Sequence, residues 1–384
     1  MDLDLLLARA VELGASDVHL KIGRPPVLRR DGTLDVLEGA PALTVAELEA
    51  VLRQVTESVP QRLESFRSDS ELDIAYETGD LPRFRVNGFR QRGAISFAFR
   101  VIPKTIPTFE SLALPPGVRK LAGEHRGLVL VTGGTGSGKT TTLAAMVDHI
   151  NRTRQQHIVT IEDPIEILHE DIGCLVNQRE VGVDTDSFHE ALRRALRQDP
   201  DVILIGELRD ADTAQTALHA AESGHLVLST MHTVDASETV GRMVEFFPGN
   251  KQPLIRSVLA GVLRGVISQR LLPKVDVGRI AAVEVMVNNA RIADLIRENR
   301  ADEMHDAIAE GSFFQMQTFT QALIDLVVSG LVDQEIAANA ATNRHDFLVA
   351  LERALKTDAA EKRAAEQEAA EPEVPELRLL HPTG

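Results

Sequence analysis

Apolar positions recur along the chain with two periods, and each change of period marks an element boundary. Leu3, Leu6, Leu7, Ala10 and Leu13 fall at helical spacing and Gly14 supplies a stop, which predicts a first helix. Residues 17–22 then alternate polar and apolar, as a half-buried strand does. Short β-prone runs at 27–30 and 33–37 flank Asp31-Gly32 and predict a hairpin. Thr44 precedes an amphipathic run and Glu47 follows three positions later, the spacing of a capping box, so a helix is expected over 45–56. A further helix is expected over 59–65, then strands at 72–76, 83–90 and 96–101. These elements predict an α+β domain over residues 1–101. Residues 102–116, with Pro103, Pro107, Pro115 and Pro116, suggest a linker.

Beyond the linker, strand-like runs at 128–132, 158–162, 202–206 and 226–230 alternate with helical patterns. That alternation predicts an α/β domain over residues 117–355, a mainly parallel sheet with helices on both faces. Helices are also expected at 254–270, 289–298 and 318–329. Residues 356–384 are Ala/Glu-rich with few large apolar side chains. They hold too little apolar surface to offset ordering, so a disordered acidic tail is expected, with room for a frayed helix near 359–370.

Composition narrows the class. The 384 residues are 43% hydrophobic and 26% charged, a globular balance. No run of 18 apolar residues occurs, so no transmembrane helix is expected. The first residues, Met1-Asp2-Leu3-Asp4, lack the basic segment of a secretory signal, so a cytoplasmic protein is expected. A net charge of −16 argues against a general nucleic-acid partner, because the phosphate contribution needs a positive surface. The absence of Trp and a single Tyr leave few base-stacking platforms. Cys174 is alone, which excludes an intrachain disulfide and a cysteine-built zinc site.

The candidate chemistry begins at Gly133-Gly134-Thr135-Gly136-Ser137-Gly138-Lys139-Thr140, between a strand-like run and a helix-like run that opens with Thr141. This is a P-loop in its required context. Glycines let successive N–H groups turn inward on an anion, and the helix adds its positive end. Lys139 would reach the β- and γ-phosphates of ATP, and Thr140 would place its hydroxyl on Mg²⁺.

Carboxylates follow at later strand ends, where ligands sit in a parallel sheet. Glu207, after 202–206, is the first choice to orient the attacking water. Glu162 and Asp163 are secondary candidates for water or Mg²⁺-bound water; a solvated strand end is the alternative for each. His225 and His232 bracket the last strand. On a strand they would stand roughly 23 Å apart, too far for one metal. His232 could sense the γ-phosphate, and His225 could equally be a structural cap.

These residues resemble a known family. The P-loop, Ile161-Glu162-Asp163-Pro164-Ile165-Glu166, Gly206-Glu207-Leu208-Arg209-Asp210 and the stretch from His225 to His232 are similar to the secretion ATPase superfamily, the motors of type II secretion and type IV pili. Gly14-Ala15-Ser16-Asp17-Val18-His19-Leu20, Arg83-Phe84-Arg85-Val86-Asn87, Asn177-Gln178-Arg179-Glu180-Val181-Gly182 and Met316-Gln317-Thr318-Phe319 resemble its pilus retraction branch. The resemblance implies a RecA-like core behind an N-terminal PAS-like domain, a ring of six, and ATP between the two domains. It further implies that Arg85 and Arg100 approach the phosphates, with a solvated strand face as their alternative reading, and that Arg209 braces the subunit. It implies partners: an inner-membrane pilus platform protein, a second retraction ATPase, and peripheral association with that membrane. Two departures stand out. Gly134 replaces a usual proline, and Arg291-Ile292-Ala293-Asp294-Leu295-Ile296-Arg297-Glu298 matches the retraction motif only in its second half, with wording closer to the accessory paralogue. Extension and secretion motors, the alternative within the family, often carry four zinc-binding cysteines; this chain has one.

Overall fold

The computed structural model describes residues 1–370, Asp31 and Pro103 excepted. Its first part comprises α1 (Leu3–Glu12), β1 (Asp17–Lys21), β2 (Val27–Arg30), β3 (Thr33–Val36), α2 (Val45–Val55), α3 (Pro60–Asp69), β4 (Glu71–Tyr76), β5 (Phe84–Gln91) and β6 (Ala94–Val101). The strands form one sheet in the order β3-β2-β1-β6-β5-β4. The Thr44–Glu47 capping box is present and opens α2. Apolar faces of α1 and α2 close over the sheet, burying Leu7, Leu48, Phe84, Phe97 and Phe99 in one cluster.

The second part comprises α4 (Pro116–Ala122), β7 (Gly127–Thr132), α5 (Lys139–Thr153), β8 (His157–Glu162), β9 (Leu175–Glu180), α6 (Phe188–Ala195), β10 (Val202–Ile205), α7 (Ala211–Glu222), β11 (Leu226–Met231), α8 (Ala236–Glu245) and α9 (Gln252–Val262). It continues with β12 (Leu263–Pro273), β13 (Arg279–Val287), α10 (Ala290–Arg297), α11 (Met304–Ala309), α12 (Phe319–Val328), α13 (Gln334–Ala340) and α14 (Arg344–Ala370). The sheet order is β13-β12-β7-β11-β10-β8-β9. Every pairing is parallel except β12 with β13. β7, β10 and β11 are buried along their whole length, as strands covered on both faces must be. This is the α/β core with an N-terminal α+β domain that the periodicity predicts.

One local expectation fails. The helix expected over 254–270 ends at Val262, and Leu263 turns directly into β12. Leu259, Leu263, Val266 and Ile267 suit either period. Tertiary contact decides: β12 pairs with β7 on one side and β13 on the other, and a Cβ on Gly265 would lie 2.5 Å from the Met286 carbonyl. β9 escapes sequence reading because its centre is Asn177-Gln178-Arg179, an edge strand without an apolar run. At the far end α14 continues through Ala370, over the stretch 359–370 where the sequence leaves room for a helix; residues 371–384 of the expected tail lie outside the described residues.

The proline-rich segment does more than space two domains. Phe109 is buried in the core of the second part, its ring 5.1 Å from that of His149 and under the guanidinium of Arg119. Pro115 and Pro116 open α4, where the fixed φ of proline suits a first turn.

Candidate nucleotide-binding and catalytic site

The fully buried strand β7 delivers the P-loop to the sheet's carboxyl edge. Gly133, Gly136 and Gly138 take φ values of 141°, 78° and 93°, and α5 begins at Lys139. Gly133 has a second constraint. A Cβ there would lie 2.4 Å from the Gln269 carbonyl of β12 and 2.6 Å from Ser137 Oγ. Gly134 has ordinary φ and nothing within 4 Å of an added Cβ, so a side chain there would meet open space.

Lys139 is 9% exposed, and its Nζ donates to the carbonyls of Gly133 (2.8 Å) and Gly134 (3.0 Å). Burial pushes its pKa down, while Glu207 and Glu166 oppose that shift through space. Ser137 Oγ is buried without a hydrogen-bond partner. A buried ammonium held by two loop carbonyls, an orphaned hydroxyl and the first N–H groups of α5 fit a polyphosphate. Among the described residues no group of three or more His, Cys, Asp or Glu could hold a metal. A Mg²⁺ ion here would therefore take its oxygens from phosphate and water, with Thr140, exposed at the start of α5, as protein ligand. Gly134, Thr135, Gly136 and Thr141 complete the mouth of the loop, exposed or half-buried.

Glu207 follows β10 and is held from three sides. Ser229 Oγ donates to the Ile205 carbonyl and Thr230 Oγ1 to that of Gly206, at 2.7 and 2.6 Å. Its own carboxylate accepts Arg209 Nε at 2.7 Å and lies 3.3 Å from His232 Nε2. His232, just past β11, is thus brought to Glu207. His225, at the other end of that strand, contacts the Ala220 carbonyl and Ser223 at the end of α7 and takes no part.

Glu162 ends β8. Burial raises its pKa, and hydrogen bonds from Thr160 Oγ1 (2.6 Å) and Gln178 Nε2 (3.1 Å) work against that rise. Asp163 is exposed beside it. Gln178, the orienting partner of Glu162, sits on the edge strand that the periodicity does not reveal. Only its place in the Asn177–Gly182 resemblance could have marked it.

The N-terminal domain reaches this edge of the sheet through arginines. Arg85 grips Asp73 with two nitrogens (3.2 and 2.6 Å) and donates to Glu166 at 3.0 Å, across the seam between the two parts. Arg100 pairs with Arg85 in strand register, yet its side chain is 69% exposed and donates to Asp17 at 2.9 Å. The structure therefore brings Arg85 to the acidic box and leaves Arg100 on its own sheet. Two further arginines cross the seam. Arg83 bridges Glu77 (2.6 Å) and Glu180 (3.1 Å), and Arg62 donates to the Val181 carbonyl at 3.0 Å. Arg62 lies so close over Gly182, at φ 80°, that a Cβ there would fall 2.1 Å from its Nη2.

A P-loop between a central parallel strand and its helix, with Glu207 and His232 at neighbouring strand ends, defines the class: a P-loop ATPase on an α/β core. The model of the Type II/IV secretion system protein family matches residues 2–358, and the chain belongs to that family. It is 44% identical to the type IV pilus retraction ATPase PilT of Pseudomonas aeruginosa, over 90% of this chain and 100% of that one. It is 38% identical to the type IV pilus ATPase PilU of the same organism, over 94% of each. A crystal structure of the pilus retraction motor PilT with bound ADP superposes with a TM-score of 0.83 at 44% identity, covering 90% of this chain and 98% of that one.

Proposed function

We propose that this chain is an ATP-hydrolysing motor subunit that powers retraction of type IV pili. The observation that carries the reading is Arg85 on Glu166. It joins the N-terminal domain to Glu166, whose charge acts on Lys139 through space as that of Glu207 does, which supports a site shared by the two domains. The likeness to PilT over nearly the whole of both chains supports the direction of work.

In this mechanism the triphosphate takes Lys139 from the carbonyls of Gly133 and Gly134. Glu207, oriented by Arg209 and His232, positions a water for in-line attack on the γ-phosphoryl group. Glu162 and Asp163 orient further water at the same edge. Mg²⁺ at Thr140 would supply charge neutralisation on the phosphates. Arg85 carries positive charge into the site as the domains close, and Arg100 follows on the neighbouring strand. Closure and reopening would move one domain against the other, and six subunits in a ring would pass that movement on. The ring would act on an inner-membrane platform protein from the cytoplasmic side, beside a second retraction ATPase. No described helix is long and apolar enough to cross a membrane, which is compatible with peripheral attachment.

Purified chain should hydrolyse ATP, and Lys139→Ala and Glu207→Gln should each lose 100-fold or more in kcat, on the order expected for removing a principal transition-state group. A Glu207→Gln variant as active as wild type removes the mechanism. A deletion strain should carry excess unretracted pili. A strain that assembles none would point to extension instead.

A further inference from the structure

The Arg83–Glu180 pair plays no part in the chemistry above, yet it sits where two domains and the acidic box meet. Glu180 ends β9 and is 5% exposed. It is the register partner of Glu162, and the next residue's N–H, that of Val181, donates to the Glu162 carbonyl at 2.8 Å. A single oxygen of its carboxylate, Oε2, accepts both the Ile165 N–H (3.1 Å) and Arg83 Nη2 (3.1 Å). Glu180 and its neighbour thus fix the box at both ends: backbone at Glu162, carboxylate at Ile165. Between them stands Asp163, and one residue further stands Glu166, which meets Arg85.

Arg83 belongs to the other domain. Its side chain is 15% exposed and runs between Glu77 and Glu180. Burial raises the pKa of Glu180, while the Ile165 N–H and the Arg83 charge favour its ionised form. Removing the guanidinium would leave a buried carboxylate with one fewer donor and only the more distant charge of Arg62 to offset Asp184, a loss that destabilises this arrangement. Whatever moves Arg83 therefore moves the acceptor that sets Ile165.

We infer that Arg83 is a positioning residue for ATP hydrolysis, acting through Glu180 to set the box from Glu162 to Glu166 according to the placement of the N-terminal domain. The inference rests on the ATPase reading above. Arg83 does not touch nucleotide. Its role is to report domain placement to the carboxylates at the strand end, with Arg62 on Val181 steadying the same turn.

The test uses the full chain and steady-state ATPase kinetics of Arg83→Ala, Arg83→Lys, Glu180→Gln and the Arg83→Ala/Glu180→Gln double variant. Arg83→Ala should lower kcat tenfold or more while KM for ATP stays within about threefold. Arg83→Lys should recover part of kcat, since an ammonium restores one charged contact. The double variant should be no slower than the slower single, because both changes break one link. Hydrogen exchange at residues 163–167 should rise in Arg83→Ala. Should Arg83→Ala fold poorly, Glu180→Gln, which keeps an acceptor for Ile165, reads the same loss of kcat. Three results overturn the inference while wild type remains active: kcat within twofold of wild type, a raised KM at unchanged kcat, or additive losses in the double variant. A wild-type chain without ATPase activity overturns the parent reading and this one with it.

Discussion

Gly133 and Gly134 are adjacent and chemically identical, yet the structure gives them different work. Gly133 is pressed against a carbonyl of β12 at a φ of 141°, whereas Gly134 faces open space. Gly133→Ala should therefore cost at least tenfold in nucleotide affinity, and Gly134→Ala should change it less than about threefold, each by titration with a fluorescent ATP analogue. Equal losses at both positions would show that the β12 wall is unimportant. At this scale the sequence was informative for a physical reason. The loop's chemistry is local: its donors, its lysine and its glycines are consecutive. The same holds for Glu207, whose ligand position follows from ending an apolar strand. Arg62 stayed hidden, and Arg83 stood out only through the resemblance, as a weaker candidate than Arg85, because their partners lie 119 and 97 residues away and no local pattern encodes such a meeting.

Between elements, one buried carboxylate ties together the starts of two helices. Glu284 on β13 is 4% exposed and accepts N–H groups at the beginnings of α8, from Ala236 at 3.0 Å, and α12, from Phe319. Burial pushes its pKa from 4.5 up to about 7; the two N–H groups and Arg270 oppose the rise and Asp235 adds to it. The folded pKa is above the unfolded one, so the neutral form contributes stability that is complete below pH 4.5 and lost as pH rises through about 7. The contribution is on the order of 3 kcal/mol. Glu284→Gln should flatten the pH dependence of the melting temperature between pH 5 and pH 8, as followed by calorimetry. An unchanged slope would assign that dependence elsewhere. β7, β8, β10 and β11 were legible because one period ruled each, although β13, buried along most of its length, was not read. Nor was β12, because its residues satisfy a helix as well as a strand and only the vacancy between β7 and β13 selects the strand.

Over the whole molecule, the segment joining the domains is anchored to the second domain at Phe109, with Leu112 and Leu114 packed on the same core. Phe109 is 6% exposed within the second domain's core, so the length of chain able to swing between domains begins before it. Phe109→Ala should destabilise the ATPase domain by about 3–5 kcal/mol in denaturant titration. It should also expose the segment 102–116 to limited proteolysis. Loss of stability without new cleavage would mean that the anchor serves packing alone. The two-domain architecture could be read from composition and periodicity, since proline marks the joint and alternating runs mark the sheet. The seam could not be read from periodicity, because its arginines look solvated on their own strand or helix; only the resemblance pointed Arg85 across it.

That seam carries a hereditary consequence. Gly182 has a left-handed backbone that asparagine also tolerates, so backbone geometry alone would permit variation there. The guanidinium of Arg62 narrows that permission: a Cβ at 182 would fall 2.1 Å from its Nη2, so the arginine arm would have to swing away and give up the Val181 carbonyl. A descendant that gains a side chain at 182 therefore trades away one hydrogen bond between its two domains, whatever its nucleotide loop still spells.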